Sequence, residues 1–349
     1  MKTMQVVTQC DLMPLIDESE SILDGDLMTQ VAGEFTVRNG LIIDSYGNCW
    51  YRWRADGLDS WWRMFEETID VPMGRKLVNS ACDEEENLLN SNELDFTGFF
   101  RKKKSFNALK RRWWLHGWGN PNLSPLGFDS IGLTPLFAGM MQADVERIKS
   151  RRYRMLWEEK SNETTILTLE ESNLPLTASK PSTSPVAKGE PYMLEIEKGW
   201  KIDGLSHFLL PAGLFVRLQE SCAGLTANIS DDERTSWPDL GDGFLSLAIA
   251  TKKLFIAGEE LFLAADDRGW IESCEAFFGS RGMSTPISVK SLDSNGGIEL
   301  KYSEVPCLAI TVGNIAGAWV RCEGRPVKVE LRMDDEFSYI SLQSRYELS

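Results

Sequence analysis

Histidine is nearly missing from this sequence, which has only two, His116 and His207. The seven cysteines are scattered and include no CxxC pair, so neither residue type offers the clustered ligands of a zinc site. An odd number of scattered cysteines is typical of buried thiols in a reducing compartment. We therefore expect a cytoplasmic protein with no metal site and no disulfide framework.

Long apolar runs and phosphate-binding loops are missing too. The longest apolar candidate, residues 244–250, is far shorter than the roughly 20 residues that span a bilayer, and the first residues lack the apolar segment of a signal peptide. None of the motifs GxGxxG, GxxxxGK[ST] and GxSxG occurs. We expect no transmembrane insertion and no cofactor, and no signature indicates an enzyme.

Acidic residues outnumber basic ones, 52 to 37, which gives a net charge of −15. This balance argues against bulk electrostatic binding to nucleic acid or to an anionic membrane. A local basic patch can still bind an anion, because charges farther apart than a Debye length of roughly 8 Å are largely screened. The placement of the basic residues therefore matters more than their number.

The length of the chain and one polar segment predict its domain organisation. Its 349 residues exceed what one hydrophobic core usually holds, which predicts two domains. Residues 172–190 are rich in proline, serine and threonine, as expected of a linker. Residues 1–33 predict an acidic flexible leader or, alternatively, a partner-docking peptide. The predicted domains are residues 34–171 and 191–349.

Short matches indicate that the two halves are diverged copies of one unit. Four segments recur in the same order at offsets near that of Cys82 and Cys222, which are 140 residues apart. Self-similarity at this scale is the signature of duplication. The other matched segments are 53–58 with 200–205, 71–74 with 210–213, and 137–139 with 277–279.

The hydrophobic pattern predicts the coarse secondary structure. Residues 40–44 and 49–53 are predicted to form a hairpin, and residues 58–65 one face of a helix. Asp70 is a candidate N-cap for the following helix. Strands grouped around central helices predict an α+β fold, with an antiparallel sheet and packed helices in each copy. Further predicted helices are 134–149, 204–210 and 211–223, and further strands are 112–116, 153–159, 164–169, 253–257, 261–265, 298–302, 307–312, 318–322, 327–333 and 338–343.

One segment stands out by its charge. Residues 101–112 carry seven positive charges and no negative one, with Phe100 and Trp113 beside them, and a second basic cluster follows at 147–154. Basic residues interleaved with aromatic ones suit nucleic acid, an anionic membrane surface or an acidic protein segment. A charged connection between strands is the structural alternative. The predicted polyanion-binding or partner-binding residues are Arg101, Lys102, Lys103, Lys104, Lys110, Arg111, Arg112, Arg151 and Arg152.

Several carboxylates have both a functional and a structural interpretation. The run at residues 83–86 could attract a divalent cation, but adjacent helical carboxylates point in different directions, so we expect a solvated helix face. Asp56 and Asp203, in the repeated pattern WxxDGL, would be the first carboxylates to test in an enzyme. Their structural interpretation is helix N-capping.

Two hypotheses of different classes follow from these patterns. The first is a non-enzymatic binding, regulatory or scaffold protein, whose basic segment contacts nucleic acid or an acidic protein segment, alone or in a homo-oligomer or larger assembly. The alternative is an enzyme or small-molecule binder of unrecognised class, with its site in a tryptophan-lined pocket or between the two domains. The candidate residues of that pocket are Asp56, Asp203, His116 and Trp118.

Overall fold

The computed structural model describes residues 22–89, 94, 96, 100–161, 163–176 and 179–346, a mixture of helices and antiparallel sheets. The helices are α1 (Gly25–Glu34), α2 (Ala55–Ile69), α3 (Gly74–Leu88), α4 (Arg101–His116), α5 (Thr134–Lys149), α6 (Ala212–Ser221), α7 (Asp231–Thr235), α8 (Gly241–Ala257), α9 (Asp267–Phe277) and α10 (Leu308–Glu323). The strands are β1 (Thr36–Arg38), β2 (Leu41–Ile43), β3 (Cys49–Arg54), β4 (Asn120–Leu123), β5 (Leu126–Asp129), β6 (Tyr153–Glu159), β7 (Thr164–Glu171), β8 (Glu190–Pro191), β9 (Lys201–Ile202), β10 (Leu205–Pro211), β11 (Ser288–Ser291), β12 (Ile298–Tyr302), β13 (Val327–Met333) and β14 (Ser338–Ser344).

The largest sheet combines strands from both sides of the predicted linker. Its strand order is β8-β1-β2-β3-β10-β9. β3 and β10 pair antiparallel, with Trp50 opposite Pro211 and Arg54 opposite His207. Each of these strands runs directly into a helix, β3 into α2 and β10 into α6. The segments predicted as domains therefore share one backbone ladder, and their independent folding stays a prediction.

Two smaller antiparallel sheets, one in each half, have the same arrangement. The first has the order β4-β5-β7-β6 and the second β11-β12-β14-β13. In each half one helix precedes the last hairpin and packs on an earlier helix, α5 on α3 and α10 on α8. A Cβ at Gly139 would lie 2.3 Å from the Val78 carbonyl oxygen, and one at Gly313 would lie 2.4 Å from that of Ala248. Both helix pairs therefore need glycine for their close approach.

One continuous apolar core runs through both halves. Two tryptophans of the first half also donate hydrogen bonds to residues of the second half. The indole N–H of Trp61 donates to Thr251 Oγ1 of α8 over 2.9 Å. The indole N–H of Trp118 donates to the Leu209 carbonyl of β10 over 2.7 Å. These rings are buried with their polar atom satisfied, so they contribute apolar area without leaving a lone donor.

The structure confirms the elements with a clear hydrophobic period. The predicted hairpin is formed by β2 and β3, and the helical face of residues 58–65 lies within α2. The predicted helices 134–149 and 211–223 correspond to α5 and α6. The period is regular in α2, β12 and β13, because each of these elements has one face more deeply buried than the other. The predicted strands 153–159, 164–169, 298–302, 327–333 and 338–343 correspond to β6, β7, β12, β13 and β14.

Other predicted elements are wrong, and burial on every side explains the two that lie in α10. Residues 309–319 of α10 are all buried, so this helix has no polar face to mark its period. Even so, no helix in the described ranges is long and apolar enough to cross a bilayer. Residues 204–210 form β10 and not a helix, 261–265 are not a strand, and the predicted strands 112–116, 253–257, 307–312 and 318–322 lie in α4, α8 and α10.

The predicted caps, leader and linker also differ from expectation. Asp70 ends α2 in the left-handed conformation, with φ of 56°, and does not begin α3. Residues 1–21 of the predicted leader lie outside the described residues, but α1 covers its last part, capped by Asp24, whose Oδ1 accepts from the Leu27 N–H at 3.0 Å. In the predicted linker, the Val186 N–H donates to the Gly47 carbonyl over 2.9 Å, so the described part of this segment packs on the first half.

The four matched segments do not occupy equivalent elements, so the predicted register of the duplication is wrong. Residues 53–58 cross from β3 into α2, whereas residues 200–205 lie at the turn between β9 and β10. Cys82 lies inside α3, whereas Cys222 is the C-cap of α6. Short motifs built around Gly, Pro and Trp recur at many turns, which is why matches of this length mislead.

Candidate functional site

The basic segment forms helix α4, which corrects the strand predicted at residues 112–116. Its buried side chains recur every three or four residues, as in Ser105, Leu109 and Arg112, and face the core. The adjacent tryptophans separate accordingly, because Trp113 is fully buried and Trp114 is 36% exposed. The exposed basic residues of the helix are Arg101, Lys102, Lys103, Lys104, Lys110 and Arg111.

Two basic segments that are distant in sequence meet at the start of α4. The Arg101 guanidinium donates to the carbonyl of Ile148, in the last turn of α5, over 3.1 Å. Arg147 and Lys149 flank that carbonyl in the sequence. The contact therefore places the start of α4 beside the basic end of α5. We call this region the basic surface, and it consists of Arg101, Lys102, Lys103, Lys104, Arg147 and Lys149.

The two helix ends at the basic surface differ electrostatically. Arg147 and Lys149 sit at the negative end of the α5 dipole, where a cation is favourable. At the start of α4 the first turn has no acidic residue, and Phe100 supplies no side-chain cap. Lys102, Lys103 and Lys104 there form no ion pair with any residue in the described ranges. Cations at a helix N-terminus are unfavourable by about 0.3–1 kcal/mol each, so an anion bound there would offset a real cost.

Arg112 does not belong to this surface. Its side chain is 6% exposed and forms a two-point ion pair with Glu85, which is completely buried. Arg112 Nη2 lies 2.8 Å from Glu85 Oε2, and Nε donates to Oε1. The guanidinium also lies over the Trp118 ring, 5.4 Å from its centre. Arg112 is therefore a structural residue of the core, which corrects its prediction as a partner-binding residue.

Three further predicted binding residues are also held by carboxylates of this chain. Arg152 bonds to Glu86 at 2.8 Å and to Glu146 at 2.7 Å, and its side chain is 18% exposed. Burial acts to lower the pKa of Arg152, but the hydrogen bonds that it donates to both glutamates raise it overall. Arg111 and Arg151 are exposed and pair with Glu34 and Glu171. Of these three arginines, only Arg111 and Arg151 form exposed ion pairs, and an exposed pair can exchange its partner at little cost in free energy.

The acidic run at residues 83–86 is neither a cation site nor a solvated face. Glu84, Glu85 and Glu86 are all buried, and each pairs with a different arginine. The three glutamates do point in different directions from the helix, but each of them contacts a guanidinium group and not solvent. Within the described residues, no group of three or more histidine, cysteine or acidic side chains could hold a metal ion.

His116 and Trp118 of the alternative pocket lie in the core, stacked on each other with ring centres 4.7 Å apart. Burial and the charge of Arg112 hold the pKa of His116 well below its usual value, so its ring is neutral. His116 Nδ1 lies 2.7 Å from the Arg112 carbonyl. A neutral, packed and hydrogen-bonded histidine is a structural residue. His116 also lines a cavity of about 350 Å³ together with Trp50, but Trp118 does not line that cavity.

Asp56 and Asp203 are exposed and lie apart from that ring stack. Asp56 follows Arg54, the N-cap of α2, and its Oδ1 accepts from the Arg54 side chain and from the Gly57 N–H. Asp203 lies in the β9–β10 turn with φ of 52°. Neither residue is a helix N-cap, and the structure does not bring the four predicted pocket residues together.

Sequence analysis missed a cleft of about 660 Å³ between β3 and the second half. Arg52, Arg54 and Gly57 contribute one wall, and residues around α8, α10 and the short turn 279–281 contribute the others. Its signal in the sequence is the run Cys-Trp-Tyr-Arg-Trp-Arg of β3, where arginines occupy alternate positions and therefore one face of a strand.

The comparisons with known proteins identify no relative. No family model, no curated protein and no solved structure matches the chain.

Proposed function

We propose that this chain is a non-enzymatic binding protein that holds an anionic polymer, a nucleic-acid strand or an acidic protein segment, on its basic surface. The observation that supports this most is the meeting of the α4 start with the basic end of α5 through Arg101 and Ile148. Together these ends concentrate cations in a chain whose net charge is −15. Such local excess attracts polyanions through counterion release and short-range contacts.

A proposed internal duplication supports a functional origin for these charges. α5 begins at Thr134 and α10 at Leu308, 174 residues later, and β6 begins at Tyr153 and β13 at Val327, again 174 residues later. With this order of elements, the two four-stranded sheets are copies, and α9, which begins 166 residues after α4, takes the place of α4. α9 begins with Asp267 and has none of the lysines of α4. The basic surface is therefore not a requirement of the repeated fold.

The proposed location is the cytoplasm. The six cysteines within the described ranges are free thiols, and all but Cys322 are buried. Burial raises the pKa of Cys49 to about 12, so this thiol is unreactive at neutral pH. Buried thiols without disulfides suit a reducing compartment.

The test is binding of the whole chain to labelled single-stranded DNA, duplex DNA and a polyglutamate peptide. A charge-reversed variant carries Lys102→Glu, Lys103→Glu and Lys104→Glu. The matched control carries Lys188→Glu, Lys201→Glu and Lys290→Glu, three exposed lysines outside the basic surface, so both variants have the same net charge.

We expect at least one of the three probes to bind the wild type and the control, and to bind the charge-reversed variant at least tenfold more weakly. Far-ultraviolet circular dichroism checks that all three proteins are folded. Failure of the folded wild type to bind any probe at low salt would overturn the proposal, and so would equal weakening in both variants.

A further inference from the structure

The cleft beside β3 has an unusually basic wall. Arg52, Arg54, Arg281 and Arg321 line it, whereas its acidic lining residues are Glu259 and Glu260. Arg52 and Arg54 lie two positions apart on β3, and His207 lies directly opposite Arg54 on β10, so the three share one face of the sheet. The cleft, at about 660 Å³, is within the range of small-ligand sites.

Arg52 is buried without a counterion. It is 9% exposed and makes no ion pair with any residue in the described ranges. Its Nε has no hydrogen-bond partner, and its closest polar contact is a long one, from Nη2 to Ser280 Oγ at 3.4 Å. Buried charges in proteins are normally paired, because an isolated ion in a low-dielectric site costs several kcal/mol.

Protein groups account for the other three guanidinium groups. Arg54 pairs with Asp56, and its Nη1 lies 3.9 Å from Glu260. Arg281 pairs with Glu260. Arg321 donates to the backbone carbonyl of Glu260 over 2.6 Å. The Glu260 carboxylate is thus shared between Arg54 and Arg281, and it acts on Arg52 only through its charge, without an ion pair.

Aromatic side chains complete the cleft. Phe277 and Phe255 line it, with ring centres 5.0 Å apart. The guanidinium of Arg281 lies 4.0 Å above the centre of the Phe277 ring, which fixes its orientation towards the cleft wall. Phe277 is only half-buried, so an apolar surface remains next to the cationic wall.

We propose that this cleft binds a small phosphorylated molecule with a planar apolar body. The phosphate would lie against the guanidinium of Arg52, the lining arginine that forms no ion pair within the described residues, because phosphate oxygens accept strong hydrogen bonds from guanidinium groups. The apolar body would lie against Phe277 and Phe255. Glu259 and Glu260 also line the cleft and would repel a second anionic group, so the ligand has one anionic end. This site is separate from the basic surface and does not depend on it.

The test uses phenyl phosphate as the probe, with inorganic phosphate and phenol as its two halves. Binding to the whole chain is followed by calorimetry and by protein NMR. Inorganic sulfate distinguishes general anion binding from phosphate binding. The matched variants are Arg52→Gln in the cleft and Arg268→Gln on α9, where the side chain is 86% exposed.

We expect phenyl phosphate to bind the wild type more tightly than either half does. Arg52→Gln should weaken the binding of phenyl phosphate at least about thirtyfold. Removal of one partner of a buried charged hydrogen bond costs about that much affinity. Arg268→Gln should bind like the wild type. Equal binding by Arg52→Gln, or saturable binding of phenol alone with no contribution from phosphate, would overturn the proposal.

A second variant keeps the test valid if Arg52→Gln does not fold. Asn314 also lines the cleft and is 8% exposed, and Asn314→Asp is nearly isosteric while it adds a competing negative charge beside the arginines. It should weaken the binding of phenyl phosphate at least tenfold. Circular dichroism checks that the variant is folded, because the change removes the hydrogen bond from Asn314 Nδ2 to Met283 Sδ. Undiminished binding in Asn314→Asp would contradict the site, and so would a folded wild type that binds none of the anions.

Discussion

Glu84 of α3 and Arg217 of α6 form an ion pair that joins the two halves, with 2.6 Å between Glu84 Oε2 and Arg217 Nε. Both side chains are largely buried, 4% and 13% exposed. The same Oε2 accepts from Ser182 Oγ, in the predicted linker, at 2.8 Å. The carboxylate therefore holds three segments of the chain together, and its removal leaves a buried guanidinium unpaired.

The first prediction concerns this pair. Glu84→Gln should lower the free energy of unfolding by about 3 kcal/mol, because a buried charge that loses its partner is strongly destabilising. The control is Glu330→Gln, which removes an exposed pair with Lys328 and should cost less than about 1 kcal/mol. Urea unfolding measures the free energy of unfolding of both variants. Equal losses of stability in the two variants would contradict the structural role of Glu84.

The second prediction contrasts two neighbouring buried carboxyl groups. Burial raises the pKa of Asp144 well above its ordinary value, and we predict that this carboxyl is protonated at pH 7. Its Oδ2 accepts from the Trp113 indole N–H at 2.8 Å, and an asparagine oxygen can do the same. Asp144→Asn should therefore change stability by less than about 1 kcal/mol.

Glu85→Gln, in contrast, removes the charge that pairs with the buried Arg112 and should cost about 3 kcal/mol or more. Thermal and urea unfolding at pH 7 compare the two variants. If Asp144→Asn lowered the free energy of unfolding as much as Glu85→Gln does, Asp144 would be charged.

The third prediction is the pH dependence of stability at Glu233. Burial alone would raise the pKa of Glu233, but Lys252 and Arg345 lower it to about 2. A carboxyl whose pKa is depressed in the folded state stabilises the fold at a pH above its pKa in the unfolded state. This contribution is lost as the pH falls through the pKa of the folded state. Glu233→Gln should cost about 2 kcal/mol at pH 6, and the difference from the wild type should shrink towards zero between pH 4.5 and pH 2. A difference that stays constant over this range would contradict the ion pairs.

The fourth prediction concerns His207 and the cleft. Burial lowers the pKa of His207, and the charges of Arg52, Arg281 and Arg54 lower it further, so the ring is neutral at pH 7. A bound anion favours the protonated ring, so affinity for inorganic sulfate should rise several-fold as the pH falls from 7 to 5. Glu259 and Glu260, the carboxyl groups that line the cleft, are the other groups to consider, and a histidine-dependent rise should vanish in His207→Gln. A pH-independent affinity in the wild type would contradict this coupling.

Local patterns in the sequence predict the amphipathic elements but not how they assemble. α2 follows from its periodic apolar face, whereas α10 is buried at every position from 309 to 319 and has no polar face there. The pairing of β3 with β10 joins residues more than 150 apart, such as Arg54 and His207, and no local pattern specifies it. For the same reason, the short sequence matches predict a duplication in a register that the structure contradicts.

The candidate sites show the same division. Charge density alone identified Arg101 to Lys104, because exposed runs need no tertiary partner to remain basic. Arg112 and Arg152 have the same appearance in the sequence, yet the fold places Glu85 and Glu86 against them. The cleft at Arg52 combines side chains of both halves, so only the assembled structure reveals it.

The salt dependence of binding to a labelled single-stranded oligonucleotide tests the central claim most directly. Each phosphate that a cation neutralises contributes about 0.7 to the slope of log affinity against log salt concentration. Replacing Lys102, Lys103 and Lys104 by glutamine should therefore reduce the magnitude of that slope by about 2. The same replacement of Lys188, Lys201 and Lys290 should leave it unchanged. Equal slopes in the two triple variants would contradict the claim that the basic surface is where the polyanion binds.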